Sequence, residues 1–137
     1  MAVWISASTR VGAFAPGVVS NAVAVGLLAG GLILRWWAIL VLGRWFTVDV
    51  AIQEGHELVT RGPYRWLRHP SYTGAFVAFV GMSLTFANSL AAVAFVAPIL
   101  AALIARIHVE ERALAAQFGT AWREHAARTW RLVPGVW

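Results

Sequence analysis

Two long stretches without charged residues organise the hydrophobic pattern of the chain. The first runs from Val11 to Leu34, and from Val18 onward it is apolar enough to enter a bilayer as a helix. A crossing helix needs about 20 apolar residues at a rise of about 1.5 Å each. The pattern therefore predicts a transmembrane helix over residues 18–43, with residues 1–17 as a short leading segment.

The second stretch, from Ser71 to Ala105, is too long for one perpendicular crossing. The polar pair Asn88-Ser89 lies at its midpoint, where the chain can turn back. We therefore expect a transmembrane helical hairpin over residues 71–106, with arms of about 17 residues, the lower limit for crossing. Pro98 falls inside the second arm and is expected to kink it, because proline removes a backbone donor and clashes with the preceding turn.

Between the two stretches, residues 44–70 are predicted to form a cytoplasmic loop. Apolar residues alternate with other residues over 48–52, Glu54-Gly55 can form a turn, and residues 56–60 resemble a returning strand. Alternation with a period of two is typical of a half-buried strand. We expect a small β-hairpin here, outside the hydrocarbon.

After the second stretch, residues 107–137 are predicted to form cytoplasmic helices. Arg106 to Arg112 continues the hairpin's second helix, and Gly119 can end it as a C-cap. Thr120 can then cap a last amphipathic helix, Ala121 to Arg128.

Composition supports a membrane protein. Of the 137 residues, 60% are hydrophobic and only 12% are charged, and the mean hydropathy is +0.69. These values are wrong for a soluble protein. The predicted fold is an all-α integral membrane protein with one membrane-embedded domain, residues 1–137, and about three transmembrane helices.

The distribution of arginine predicts orientation. The net charge is +5, and from residue 44 onward every arginine falls on one side of the predicted topology. Cytoplasmic loops carry an excess of basic residues, so that side is assigned to the cytoplasm, in a multi-pass protein of the plasma or inner membrane. Arginines at the edges of apolar runs favour anionic lipid headgroups, rather than nucleic acid, as partners.

Other features limit the possible chemistry and assembly. Cysteine is absent, which excludes disulfides, thiolate metal sites and a cysteine nucleophile. No two of the four histidines have ligand spacing on one helix, so no metal site is predicted. Gly26 and Gly30 form a small-xxx-small pattern that would let another helix approach closely, including one from a second copy of the chain. Glycine is also simply common in membrane helices.

Two polar clusters can carry chemistry. Pro70 suits the first position of a helix, which places Arg68 and His69 at a helix N-terminus where an anionic group would bind readily. Arg106 and Glu110 are four residues apart and share a helix face. Taken singly, each residue has an ordinary alternative as a lipid contact, a cap or an interfacial anchor. The predicted hairpin, however, returns the second cluster to the start of the first arm, so the two should lie side by side.

These clusters belong to a set of motifs that resembles a known family. The motifs are Gly-Pro-Tyr at 62–64, Arg-His-Pro-Ser-Tyr-Thr-Gly at 68–74, Arg106 with Glu110-Glu111, Phe118-Gly119, and Arg-Leu-Val-Pro at 131–134. In order and spacing they resemble the isoprenylcysteine carboxyl methyltransferase family and its phospholipid-methyltransferase relatives, over roughly residues 30–135. The resemblance implies an integral membrane enzyme that uses S-adenosylmethionine to methylate a lipophilic acceptor.

The resemblance also implies roles for particular residues. Arg106 and Glu110 would be the catalytic residues that face the acceptor. The cofactor would be held by Tyr64, Leu67, His69, Tyr72, Glu110 and Glu111. A carboxylate acceptor would use Arg106 for orientation, whereas an amine or hydroxyl acceptor could use Glu110 to accept a proton. A neighbouring subunit could complete the substrate channel.

Two other readings remain open at this point. One is a membrane reductase that uses NADPH on a sterol-like or polyprenyl substrate, because such proteins share the His-Pro-x-Tyr neighbourhood. The other is a non-catalytic membrane adaptor whose arginines bind anionic lipid. The absence of a glycine-rich Rossmann loop excludes the soluble methyltransferase fold as a model.

Overall fold

The structure, a computed structural model, is all-helical in the residues that it describes, which are 12–46 and 55–137. Its helices are α1 (Val18–Leu42), α2 (Pro70–Leu84), α3 (Ser89–Phe118) and α4 (Thr120–Arg128), with 3₁₀ turns at Gly43–Trp45 and Gly62–Arg65. Over these ranges there is no β-strand, and strand-like pairing is limited to isolated bridges. The predicted all-α class is therefore confirmed for the described part of the chain.

The predicted β-hairpin is not confirmed. Its first strand, residues 48–52, lies outside the described residues, and residues 56–60 form neither helix nor strand. In this second segment, His56 stacks its ring on Trp45, with ring centroids 4.8 Å apart. The sequence pattern had suggested that backbone hydrogen bonds between two strands would position this segment. In the structure, aromatic packing contributes to its position instead.

Among the residues that the structure describes, two helical segments are long and apolar enough to cross a membrane, judged by length and composition. They are Val18–Trp45 and Ser89–Phe118. Helix α2 has 15 residues, which at about 1.5 Å per residue gives about 22 Å, less than the roughly 30 Å of a hydrocarbon core. The predicted count of three spans is therefore not confirmed.

Local signals fix the beginnings of the helices. At the start of α1, the Ser20 hydroxyl accepts the backbone N–H of Gly17 and donates to its carbonyl. Pro70 is the first residue of α2, as predicted, where its missing N–H leaves nothing unpaired. Asn88 precedes α3, and its Oδ1 accepts the N–H of Ala91 at 3.0 Å. An N-cap of this kind stops one helix and starts the next, so the predicted turn lies where the polar pair indicated.

The C-terminal helices follow the predicted pattern with one shift. Helix α3 runs without interruption through Pro98 to Phe118, and Gly119 then adopts a left-handed φ of 52°. That conformation is strained for residues with a Cβ, so glycine suits it. Thr120 is the first residue of α4, where it was predicted to be the cap, and Gly119 holds the cap position.

The chain divides into two compact units, to which α1, α2 and α3 each contribute residues. Of the described residues, the first comprises 12–33 and 74–102, and the second comprises 34–46, 55–73 and 103–137. The prediction of a single domain over residues 1–137 stays a prediction.

Close backbone approach organises the first unit. A Cβ placed on Gly31 would lie 2.5 Å from the backbone N of Ala78 and the carbonyl oxygen of Gly74. A Cβ on Gly81 would lie 2.6 Å from the backbone N of Leu28. Helices α1 and α2 therefore touch backbone to backbone at two points, which only glycine allows.

Aromatic rings and the leading segment complete this unit. Phe95 of α3 meets Phe86 edge to face at 5.2 Å and Phe79 at 6.0 Å, a geometry that aromatic pairs favour. The N–H of Phe14 donates to the carbonyl of Ala87 at 2.9 Å. The segment before α1 is thus hydrogen-bonded to the turn between α2 and α3.

The glycine pair singled out from the sequence is not the one that packs within the chain. A Cβ on Gly26 or Gly30 would meet nothing within 4 Å, whereas Gly31 is in tight contact. The reason is the helical period: Gly31 lies about 100° around α1 from Gly30 and therefore on another face. Contact of Gly26 and Gly30 with a second copy of the chain stays a prediction.

The second unit is built on backbone hydrogen bonds between a loop and the C-terminal segment. The N–H of Trp130 donates to the carbonyl of Trp66, and the N–H of Arg68 donates to the carbonyl of Trp130 at 2.7 Å. Thr73 Oγ1 donates to the carbonyl of Leu132 at 2.6 Å. These bonds fix the loop before α2, where the predicted site lies.

Candidate functional site

A cavity with about 100 Å³ of space for the centres of water-sized molecules lies in the second unit. Its apolar lining residues are Leu42, Trp45, Phe46, Leu58, Val59, Ala113, Leu114 and Trp122. Its polar lining residues are His56, Glu57, Tyr64, Arg68, His69, Ser71, Tyr72, Arg106, Glu110 and His125. A concave site with an apolar wall and a group of converging polar side chains is the usual form of a ligand site.

The hydroxyl of Tyr72 joins the two residues predicted to be catalytic. Arg106 Nε donates to Tyr72 Oη at 2.7 Å, and Tyr72 Oη donates to Glu110 Oε2 at 2.8 Å. A phenol can donate one hydrogen bond while accepting another, so both contacts are satisfied together. Arg106 and Glu110 share one face of α3, as predicted, and Tyr72 of α2 links them through its hydroxyl.

His69 lies against both glutamates of the pair on α3. Its Nε2 is 3.2 Å from Glu111 Oε1 and its Nδ1 is 4.0 Å from Glu110 Oε2. The side chain is 2% exposed, and its ring stacks on Tyr72 with centroids 5.7 Å apart. The sequence prediction that the two clusters meet is therefore realised by direct contact.

Glu111 is bonded to three basic side chains and does not line the cavity. Its Oε1 accepts Arg68 Nη1 at 3.0 Å, and its Oε2 accepts Arg131 Nε at 3.0 Å; His69 is the third partner. The side chains of Glu111 and Arg68 are each 13% exposed. Charge-assisted bonds with so little solvent are stronger than surface pairs. Glu111 therefore anchors the loop before α2 to both α3 and the C-terminal segment.

The loop itself folds around one glycine and one buried aromatic ring. Gly62 has a positive φ of 59°, and the side chain of Val41 approaches it closely. Pro63 follows inside the 3₁₀ turn, and Tyr64 donates its hydroxyl to the carbonyl of Ala38 at 3.4 Å. The turn thus directs Tyr64 inward, where it lines the cavity.

Burial and neighbouring charge set the protonation of groups at the cavity. Burial, with the negative charge of Glu110 beside it, raises the pKa of Tyr64, so its phenol stays protonated. Burial lowers the pKa of His56, against a smaller opposite effect of Glu110. Burial also lowers the pKa of His125, and Arg68 and His69 lower it further. Both histidines are thereby biased toward the neutral form.

Five of the residues predicted from the sequence line this one cavity: Tyr64, His69, Tyr72, Arg106 and Glu110. Leu67 and Glu111 are not among its lining residues. Leu67 is buried and pairs with Trp130 in an isolated bridge. The cofactor contacts predicted for Leu67 and Glu111 stay predictions.

Sequence reasoning missed other residues of the cavity wall, among them Trp45, His56, Trp122 and His125. His56 was assigned to a strand, and no spacing linked His56 or Trp45 to α3. The sequence contained one weak indication that His56 and His125 lie near the site. His56 precedes the Gly-Pro-Tyr motif at 62–64, and His125 follows Phe118-Gly119. In the ranges 12–46 and 55–137, no group of three or more His, Cys, Asp or Glu residues is arranged to hold a metal ion.

Comparison with known proteins identifies the family. The model of the isoprenylcysteine carboxyl methyltransferase (ICMT) family matches residues 24–116, which include the loop before α2 and the polar turn of α3. The chain belongs to this family. The resemblance drawn from the motifs is thereby confirmed.

Two similar relatives from one plant are named as members of this family of enzymes. Protein-S-isoprenylcysteine O-methyltransferase B of Arabidopsis thaliana is 39% identical over 108 residues, covering 77% of this chain and 55% of the relative. Protein-S-isoprenylcysteine O-methyltransferase A of the same plant is also 39% identical over 108 residues, with the same coverage. The chain therefore spans about half the length of these curated relatives.

A solved structure shows the same fold. The eukaryotic intramembrane Ras methyltransferase ICMT aligns with a TM-score of 0.82 and 25% identity, covering 98% of this chain and 50% of that one. The match agrees with an integral membrane protein of the ICMT family with long apolar helices. Membership of a methyltransferase family also favours the methyltransferase interpretation of the motifs over the reductase and adaptor interpretations.

Proposed function

We propose that this chain carries an S-adenosylmethionine-dependent methyltransferase activity toward a lipophilic acceptor. The observation that carries the proposal is the linked set Arg106–Tyr72–Glu110 in the wall of one cavity, with distances of 2.7 and 2.8 Å. In a family of methyltransferases, a buried and hydrogen-bonded polar group beside an apolar wall is suited to hold two reactants in line.

The cavity fits a methyl donor that is cationic and carries a flat ring. Glu110 supplies a carboxylate, and Tyr72 and Tyr64 supply aromatic faces, to which cations are attracted. His69 and Arg68 lie at the N-terminus of α2, a favourable place for an anionic group. S-Adenosylmethionine would supply a methyl group on a sulfonium, displaced in line as the carbon–sulfur bond breaks with its electron pair on sulfur.

Arg106 is the residue that we assign to the acceptor. Its Nε is used by Tyr72, which leaves the other guanidinium N–H groups to orient a carboxylate. The relatives' names specify isoprenylcysteine, and the apolar wall that includes Leu42, Phe46 and Leu58 suits a prenyl chain. We therefore propose an isoprenylcysteine-like carboxylate as the acceptor class. A carboxylate is already ionised and needs no general base, so alignment and exclusion of water are the main contributions.

The Tyr72 link explains why these residues act as a unit. The Tyr72 hydroxyl fixes the Arg106 guanidinium by accepting a hydrogen bond from Nε, and Glu110 fixes Tyr72 by accepting a hydrogen bond from its hydroxyl. Preorganised groups of this kind need not rearrange during the reaction. An amine or hydroxyl acceptor would instead need Glu110 to take up a proton, so activity toward such acceptors and not toward carboxylates would reverse the assignment.

The proposed site faces the cytoplasm of a plasma or inner membrane. Support comes from the arginine-rich segments after residue 43, because basic residues are retained on the cytoplasmic side. Reporter fusions placed after Gly55 and at Trp137 should both report a cytoplasmic location. A split result would exclude this topology.

Ligand binding tests the proposed activity directly. Protein purified in detergent should bind S-adenosylmethionine and its demethylated product, S-adenosylhomocysteine, in isothermal titration calorimetry. NADPH, titrated in the same way, should give no heat of binding. Binding of NADPH without binding of either methyl-donor compound would overturn the proposal and favour the reductase reading.

A further inference from the structure

Arg35 is a charged residue of α1 to which the proposed function assigns no role. It is the only charged residue between positions 11 and 43, and it lies inside a helical segment that is long and apolar enough to cross a membrane. No ion pair of Arg35 is found among residues 12–46 and 55–137. A cation is costly in such a segment, and an ionisable residue there indicates a function.

The guanidinium of Arg35 is bonded to the first turn of α2. Its Nη1 donates to the hydroxyl oxygen of Ser71 at 3.2 Å and to the carbonyl oxygen of Ser71 at 3.4 Å. Ser71 is 8% exposed and lines the cavity, whereas Arg35 is not among the lining residues. Arg35 therefore contacts the cavity wall from outside the cavity, through the residue that precedes Tyr72.

The C-terminal segment is bonded to the same part of α2. The N–H of His69 donates to the carbonyl of Arg131 at 3.2 Å, and Thr73 Oγ1 donates to the carbonyl of Leu132 at 2.6 Å. Together with the bonds from Arg35, these contacts connect the start of α2 to two other parts of the chain. The turn cannot rotate without breaking one of these sets of hydrogen bonds.

The face of α1 that carries Arg35 also contacts the loop before α2. Ala38 lies one helical turn after Arg35 on the same face, and its side chain is fully buried. The carbonyl of Ala38 accepts the hydroxyl of Tyr64. Leu42, one further turn along α1, lines the cavity. One face of α1 therefore supports the cavity wall, and Arg35 is its charged member.

The position of Tyr72 depends on the turn that Arg35 holds. The Tyr72 hydroxyl has to meet Arg106 Nε and Glu110 Oε2 together, at 2.7 and 2.8 Å. This hydroxyl lies at the far end of a long rigid side chain, so a small rotation of the turn becomes a larger displacement of the hydroxyl. The groups of a catalytic site must be held within about 0.5 Å of their productive geometry.

We infer that Arg35 is a positioning residue. By holding Ser71 it fixes the first turn of α2, and it thereby keeps the Tyr72 hydroxyl between Arg106 and Glu110. This inference rests on the proposed function, in which those three groups align the reactants. Arg35 acts through Ser71 and not on a reactant, because it does not line the cavity.

Arg35→Met removes the donor and retains an unbranched side chain. The kcat for methyl transfer to an isoprenylcysteine-type carboxylate should fall about tenfold, because a displacement of about 1 Å can cost up to about 100-fold. The Kd for S-adenosylhomocysteine, measured by calorimetry, should stay within about twofold of the wild-type value, because only the alignment of the reacting groups is lost. Arg112→Met is the matched control, at an exposed position of α3 outside the cavity. It should change neither constant.

Arg35→Lys tests whether one donor nitrogen is enough. Both bonds to Ser71 come from Nη1, so the planar fork of the guanidinium is not used, and a lysine ammonium has enough donors to make both. The lysine variant should therefore keep kcat within about threefold of the wild type. A kcat as low as that of the methionine variant would contradict the role of these two bonds.

Ser71→Ala removes one of the two acceptors and leaves α1 unchanged. It should lower kcat about two- to fivefold with an unchanged Kd for S-adenosylhomocysteine. Because Arg35 and Ser71 act through one contact, their fold-losses should not multiply in the double variant. If Arg35→Met does not fold, Ser71→Ala decides the matter, since an unchanged kcat in that variant would overturn the inference.

The outcomes separate the inference from the proposed function. A loss confined to kcat and restored by lysine supports the positioning role. A change confined to the KM for the acceptor would overturn it, and so would a parallel change of kcat, Kd and melting temperature, which a purely structural role predicts. Wild-type protein that transfers no methyl group to a lipophilic acceptor would instead overturn the proposed function.

Discussion

The two units of the chain are stabilised by different interactions. The described residues of the first unit, 12–33 and 74–102, carry no charged side chain, and its helices meet through Gly31 and Gly81. The second unit carries a bonded set of charged side chains centred on Glu111. In the first unit the shape of the backbone contact decides the packing, and in the second the pairing of charges does.

This difference has a physical reason. Between helices in lipid, burial of apolar surface gives little driving force, so close van der Waals approach is the main source of stability. A chemical site, in contrast, needs polar groups whose positions are fixed, and each such group must be paired when buried. Paired charges both fix the positions of the polar groups and satisfy them when buried. Substitutions in the first unit should therefore act through steric clashes, and substitutions in the second should act through the loss of charge pairing.

The largest effect is expected at Glu110. Glu110→Gln removes the charge that accepts from Tyr72 and should lower methyl transfer at least about 100-fold, the scale of losing a key polar group in an active site. Stability should stay close to that of the wild type, because Arg68 and Arg131 keep their bonds to Glu111 and an amide oxygen can still accept from the Tyr72 hydroxyl. Transfer of a labelled methyl group to a lipophilic carboxylate measures activity, and thermal unfolding in detergent measures stability.

Exposed Glu124 on α4 offers a matched control for this test. Glu124→Gln should leave methyl transfer unchanged. Full activity of the Glu110→Gln protein would remove Glu110 from the site.

A smaller effect, on stability rather than on chemistry, is expected at the neighbouring residue. Glu111→Gln leaves Arg68, Arg131 and His69 without their shared carboxylate and should lower the free energy of unfolding by about 2–4 kcal/mol. Denaturation in detergent measures this loss, with Glu124→Gln again as the control. A variant as stable as the wild type would show that charge pairing does not hold the second unit together.

The glycine contact of the first unit is tested by two adjacent residues. Gly31→Ala places a methyl group 2.5 Å from the backbone of α2, and it should destabilise the protein by about 1–3 kcal/mol. Gly30→Ala meets nothing within 4 Å, and it should be neutral or raise stability by up to about 1 kcal/mol through helix propensity. Equal stabilities of the two variants in thermal unfolding would contradict the contact.

The smallest effect concerns the pH dependence of stability. Because the pKa of His125 is lowered in the folded protein, the unfolded chain takes up a proton first as the pH falls. The contribution of His125 to the free energy of unfolding is therefore greatest above the ordinary histidine pKa of about 6.5. It declines as the pH falls toward the lower pKa that His125 has in the folded protein.

His125→Gln should remove part of that decline. The fall in melting temperature between pH 7.5 and pH 5 should shrink by on the order of 2 °C, a modest figure because the half-exposed group is screened by solvent. His108→Gln, at an exposed position, is the control. An unchanged pH profile in the His125 variant would show that burial of this histidine contributes nothing.

Prediction from the sequence succeeded where local signals were strong. The start of α2 at Pro70, the turn at Asn88 and the end of α3 at Gly119 each have a side-chain or backbone reason within a few residues. The contact between His69 and Glu110 was also predicted, because a long uncharged stretch with a central turn forms a helical hairpin. The two ends of such a hairpin lie side by side.

Prediction failed where the outcome depended on contacts distant in sequence. Gly30 and Gly31 look equivalent in a sequence, and only the helix that packs against one of them separates their roles. Two of the three partners of Glu111, Arg68 and Arg131, are 43 and 20 residues away in the sequence. The alternating residues near His56 suggested a strand, but a nearby tryptophan stacks on the imidazole ring.

The sequence alone determined that this is a helical membrane protein and which family its motifs belong to, because hydropathy, caps and motif spacing are properties of neighbouring residues. The tertiary structure decided which glutamate lines the cavity and which anchors the loop, that Tyr72 joins Arg106 to Glu110, and that His56 belongs to the cavity wall. These assignments depend on distances between side chains that lie far apart along the chain, and such distances are set only when the helices and loops pack together.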